Sequence, residues 1–184
     1  MKFNRHSQLE GMHAFLSASK YSWLNYTDNK LDETYRNHSA KQRGTRLHEF
    51  ASEAINMKIK MPRNKQTLNA FINDAIGHKM DSEVVLFYSI NCFGTADAIS
   101  FRDGKLRIFD LKTGVTPVNV AQLEIYAALF CLEYLYNPND IDIELRVYQN
   151  NEILYHYPEA QTIMYIMEKI KLFDMRIEKL KSEE

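Results

Sequence analysis

The chain has 184 residues, 45% apolar and 26% charged, which suits one globular domain over 1–184 with a core of its own. A formal net charge of −1 excludes a broadly basic body, so any nucleic-acid contact has to come from a local patch. Two cysteines build neither a disulfide framework nor a four-Cys iron–sulfur cluster, and no apolar run nears the ~20 residues a membrane helix needs. The opening MKFNRHSQLE has no signal-like apolar region, and the expected location is the cytoplasm. Ser17 or Ser19 can cap a short helix to about Tyr26, with Trp23 and Leu24 turned inward. The polar stretch 26–37 reads as a loop. A helix is expected over 39–61, ended by Pro62, with Leu47, Phe50, Ala51, Ala54, Ile55 and Ile59 at helical spacing. A second helix, 64–79, turns Leu68, Phe71, Ile72 and Ile76 inward. Residues 83–90, EVVLFYSI, read as a strand from their β-branched and aromatic content.

Two further strands flank Asp103–Gly104, and an Asp-Gly pair between alternating segments is a strong hairpin signal. A two-residue turn there sets Arg102 opposite Lys105, Ile99 opposite Ile108 and Asp97 opposite Asp110. Period two then adds Lys112 to the same face. The face reads Phe101, Leu106, Ile99, Ile108, and then abruptly Asp97, Asp110 and Lys112. An isolated Asp-x-Lys usually marks a solvated face. Two opposed carboxylates repel, and a cation between them is the simplest reason to keep both. Pro117 opens the next helix, 118–136, which is apolar nearly all round and hence buried. Gln122 and Tyr126 share one of its faces. Strands over 141–149 and 152–157 turn at Asn150–Asn151. A last helix, 158–181, carries an apolar stripe from Ile163 to Leu180, and its far end offers a dimer contact. The order implies an α/β/α sandwich around a central mixed sheet, with the core over about 39–157.

These residues carry a resemblance. Gly94-Thr95-Ala96-Asp97 followed by Asp110-Leu111-Lys112 resembles the PD-(D/E)xK nuclease superfamily, with its restriction-endonuclease-like core. Gln122-Leu123-Glu124-Ile125-Tyr126 is similar to the Gln-x-x-x-Tyr motif of its RecB-like and lambda-exonuclease-like branch. Gly44-Thr45-Arg46-Leu47-His48 resembles that branch's first motif, in which a helical His is a metal ligand. No Pro precedes Asp97, as is usual in this branch. The resemblance spans about 15–157 and implies a deoxyribonuclease using one or two Mg²⁺ or Mn²⁺ ions. It assigns His48, Asp97, Asp110 and the Leu111 carbonyl to the metal, Asp97, Asp110 and Lys112 to catalysis, and Gln122 and Tyr126 to the substrate strand. Glu49 and Glu53 are the alternatives to His48. An exonuclease of phage or recombination type is the expected activity, with DNA and a recombination or single-strand annealing protein as partners. If the chain is phage-encoded, the location becomes the host cytoplasm. A structure-specific or nicking endonuclease, or a non-catalytic binding or assembly module, is the alternative on the same core.

Overall fold

The Asp103–Gly104 pair makes the turn its chemistry favours. φ is 52° at Asp103 and 71° at Gly104, the left-handed values a two-residue hairpin loop uses. In the computed structural model, which describes residues 14–114 and 117–183, this turn joins strand β2 (Cys92–Arg102) to β3 (Lys105–Leu111). Arg102 stands opposite Lys105, Phe101 opposite Leu106 and Ile99 opposite Ile108. Strand β1 (Asp81–Ser89) is antiparallel on the other side of β2. β4 (Asp142–Gln149) runs parallel to β3, and β5 (Glu152–His156) antiparallel to β4. The result is a mixed five-stranded sheet in the order β1-β2-β3-β4-β5.

Among the described residues the α-helices are α1 (Asp28–Asn56), α2 (Thr67–Gly77), α3 (Ala121–Glu133) and α4 (Ala160–Ser182). α3 lies in the crossover that the parallel β3–β4 pair requires. The expected helix over 39–61 is displaced at both ends. It starts at Asp28, inside the stretch read as a loop, because the Thr27 hydroxyl accepts the Lys30 amide at 3.3 Å and caps the first turn. It stops at Asn56, well before Pro62. There the Ile59 amide donates to the Ala54 carbonyl and the Lys58 amide to that of Ile55, with Lys58 at φ 57°. This is the paired closure of a Schellman motif. The same closure ends α2, with Lys79 at φ 52° and Met80 bonded to Ala75.

The chain divides into two compact units, Met1–Thr45 and Arg46–Glu184. In the first, the expected short helix is a 3-10 segment, Ala18–Asn25. Its Trp23 indole N–H donates to the Ser17 carbonyl at 2.9 Å, while Leu24 faces solvent. The second unit holds the sheet and two hydrophobic layers. Leu123, Ala127 and Leu129 of α3 and Ile163 and Ile170 of α4 pack with Ile99, Leu106, Ile108, Leu145 and Val147. Ala51, Ala54 and Ile55 of α1 and Phe71, Ile72 and Ala75 of α2 pack with Ala98, Phe109, Leu111 and Tyr148. Successive strand residues thus enter different layers, and helices cover both faces. Leu47, Phe50 and Ile125, expected in the core, are exposed. Among the described residues, no helix is long and apolar enough to cross a membrane.

Candidate metal centre

Alternation along β2 fails at one place. Ala96, Ile99 and Phe101 all pack in the α3–α4 layer, whereas Ala98 packs in the other. A regular strand puts Ala96 and Ile99 on opposite faces, so the strand changes phase between them. β1 does the same at the same level. The Ser82 hydroxyl lies 2.8 Å from that of Ser52 on α1, yet Val84 and Leu86 pack in the α3–α4 layer. The β1–β2 ladder passes from Ser82–Ala98 to Val84–Ala96 and omits the pair between, Glu83 and Asp97. Glu83 holds φ 52°, uncommon for a residue with a Cβ. Such irregularities re-aim side chains and recur beside functional sites.

Glu83 and Asp97 meet His48, which sits on α1 over this break. One ligand atom from each of His48, Glu83 and Asp97 lies within 4.8 Å of the others. His48 Nδ1 is 3.4 Å from Asp97 Oδ1. The other Asp97 oxygen accepts the Leu111 amide at 2.8 Å. That bond occupies the place where the β2–β3 ladder would continue. The ladder ends at Ala98–Phe109, one pair short of the expected Asp97–Asp110 partnership. The two carboxylates are therefore not a ladder pair. β2 and β3 part there, and Leu111 joins the site through its backbone N–H.

Asp110 is 3% exposed. Lys112 Nζ is 3.2 Å from its Oδ1 and 3.0 Å from its Oδ2. The nearer approach is off the hydrogen-bonding direction, so buried Oδ2 has the ammonium's charge and no hydrogen bond. β3 ends at Leu111, and Lys112 lies just beyond the strand, with its backbone N–H on the Tyr148 carbonyl at 2.9 Å. Its ammonium also donates to Gln122 Oε1 at 2.8 Å, and Gln122 Nε2 donates to the Tyr126 hydroxyl at 3.0 Å.

Charge is unbalanced here, and the shifts show it. The hydrogen bond to Asp97 raises the His48 pKa, with the charges of Asp97, Asp110 and Glu83, against the lowering effect of burial. Burial and then Asp97 push the Glu83 carboxyl up. Burial and then Asp97 do the same to Asp110, only partly countered by Lys112 and His48. All three groups hold protons more tightly than usual, the response of a partly dry site with surplus negative charge. A divalent cation held by His48, Glu83 and Asp97 would offset that charge. The Glu83 and Asp97 carboxylates and the His48 imidazole could form a mixed oxygen–nitrogen donor set of the kind Mg²⁺ or Mn²⁺ takes, with Asp110 Oδ2 beside it on the Lys112 ammonium.

The structure brings His48, Asp97, Asp110, Leu111, Lys112, Gln122 and Tyr126 into one neighbourhood. Asp110 and Lys112 stand beside the tight trio, and Gln122 and Tyr126 reach it through Lys112. Sequence reasoning missed Glu83. The only signal was an acid opening an apolar strand, EVVLFYSI. The alternatives to His48, Glu49 and Glu53, are exposed on α1. No protein-family model matches the chain, and no curated protein matches it.

Proposed function

We propose that this chain is a metal-dependent nuclease that hydrolyses phosphodiester bonds in DNA from an end. The observation that carries the reading is the meeting of His48, Glu83, Asp97, Asp110 and Lys112 where β2 and β3 part. A divalent ion at such a site lowers the pKa of water and neutralises charge developing on a phosphate. His48, Glu83 and Asp97 hold it, and Asp110 lends its unbonded oxygen from the other strand. The Leu111 N–H fixes the second Asp97 oxygen and so fixes which oxygen faces the ion. Lys112 has three N–H groups. Asp110 and Gln122 take two, and the third serves an attacking water or a phosphate oxygen. The preference for DNA ends rests on the Gln122-to-Tyr126 motif, which resembles that of end-processing nucleases.

The test uses purified protein with end-labelled linear DNA and covalently closed circles, in Mg²⁺ or Mn²⁺. Linear DNA is degraded, circles survive, and Lys112→Ala stops degradation. Equal cleavage of closed circles moves the reading to an endonuclease on the same site. Absence of any cleavage of DNA or RNA in either metal removes the nuclease reading.

A further inference from the structure

Gly94 lies in β2, three residues before Asp97, and its backbone is not left-handed. Nothing in its own conformation calls for glycine. The demand comes from α3: a Cβ at position 94 would stand 2.8 Å from Tyr126 Cε1 and 3.7 Å from Cδ1 and Cζ. Carbon atoms in good contact sit roughly 3.5–4.0 Å apart, so even a methyl group and this ring position are incompatible.

Tyr126 ends a chain of hydrogen bonds whose polarity is fixed. An ammonium only donates, so the Gln122 carbonyl oxygen must face Lys112. Its amide nitrogen must then donate to the Tyr126 oxygen. The ring depth of Tyr126 is thereby tied, through Gln122, to the nitrogen that also holds Asp110.

We propose that Gly94 is a positioning residue for Lys112. Its missing side chain lets the Tyr126 ring lie against β2, and the ring, through Gln122, sets where the Lys112 ammonium stands beside Asp110. The proposal rests on Lys112 being the working cation of the nuclease read above. An alanine at position 94 lifts the ring by on the order of 1 Å to restore contact distance, and a misplacement of that size costs up to about 10²-fold in rate.

Gly94→Ala should lower kcat by about 10- to 100-fold, while Mn²⁺ still binds by calorimetry, because His48, Glu83 and Asp97 are untouched. In a Tyr126→Ser background there is no ring to lift, so adding Gly94→Ala should change the rate less than about twofold. Equal losses in both backgrounds, or a wild-type kcat in Gly94→Ala, overturn the proposal. A second readout does not use activity. In protein carrying ¹³Cζ-tyrosine, the Tyr126 resonance, assigned by its loss in Tyr126→Phe, should move in Gly94→Ala. An unmoved resonance overturns the proposal even in a protein that cleaves DNA. A moved resonance in a protein that cleaves nothing removes the nuclease reading and upholds the packing of Gly94 under Tyr126.

Discussion

Replacing Asp110 by Asn should act in opposite directions with and without metal. Asp110 is 3% exposed, and burial and Asp97 both disfavour its charge. Asparagine keeps the shape and removes the charge. The loss is the ion pair with Lys112, whose side chain is 35% exposed. A pair open to solvent on that side is worth about 0–1 kcal/mol. The gain is relief from the desolvation of a buried carboxylate and from the like charge of Asp97. In EDTA the variant should therefore match the wild type or exceed it by up to about 1 kcal/mol, a Tm rise of no more than about 4 °C for a chain of this size. Mn²⁺ at a hundred times its Kd stabilises a one-site protein by about 2.7 kcal/mol, or roughly 5–11 °C. The wild type should gain this and Asp110→Asn should lose most of it, so their order of stability reverses when metal is added. Thermal unfolding followed by circular dichroism, in EDTA and in Mn²⁺, measures all four states. Destabilisation of the metal-free variant by more than about 1 kcal/mol would show that Asp110 is a structural anchor for Lys112. An undiminished Mn²⁺ shift in the variant would take Asp110 out of the metal centre.

His48→Ala should weaken Mn²⁺ more than Mg²⁺ in calorimetry, because Mn²⁺ accepts imidazole more readily; parallel loss for both metals would mean that His48 acts by packing alone. Glu83→Gly should hold or raise metal-free stability, since it relieves a left-handed conformation costing about 1–2 kcal/mol in a residue with a Cβ, while weakening Mn²⁺ as much as Glu83→Gln does. An unchanged Mn²⁺ affinity in both variants excludes Glu83 as a ligand. Glu144, 4% exposed, is bound by Lys105 at 3.0 Å and by Arg146. Burial pushes its carboxyl up, but those hydrogen bonds and charges more than reverse this, leaving it below the ordinary 4.5. A depressed carboxyl contributes stability that is complete above the ordinary value and lost as pH falls through the folded one. The stability gap between wild type and Glu144→Gln should therefore be widest near neutrality and close below about pH 4.5; a gap independent of pH in denaturant titrations contradicts this.

What was legible in the sequence is what depends on near neighbours. The Asp103–Gly104 turn fixes its own register, and that register holds outward to Ala98–Phe109. The motifs around His48, Asp97, Asp110–Lys112 and Gln122–Tyr126 are likewise short, and the fold brings them together. The helix ends were less legible because left-handed residues close them without glycine. Lys58 and Lys79 carry no composition signal for that conformation, so the readable stop for α1 was Pro62. Leu47 and Phe50 have the right period for a buried face and are nevertheless exposed. Period fixes which side of a helix is apolar, not how far its neighbours extend beneath it.

Glu83 lay beyond reach for a deeper reason. Regular alternation gives each strand residue a face, and the face shared by Asp97, Asp110 and Lys112 was read from it, whereas residues 83–90 were read as a strand from composition alone, with no face given to Glu83. The site needs Asp97 turned toward His48 on α1 while Ile99 and Ala96 both remain in the layer under α3. No regular strand meets these demands, because Ala96 and Ile99 are an odd number of residues apart. β2 must slip phase beside Asp97, and β1, hydrogen-bonded to it on either side, slips at the facing residue. Glu83 is that residue, and the slip delivers its carboxylate to the same space. The irregularity that a regular strand would not show is therefore the device that brings Glu83 and Asp97 to His48. Straightening β2 would return Ala96 or Ile99 to the wrong layer, and straightening β1 would do the same to Ser82 or Val84, so neither strand can be regular where Asp97 and Glu83 meet His48.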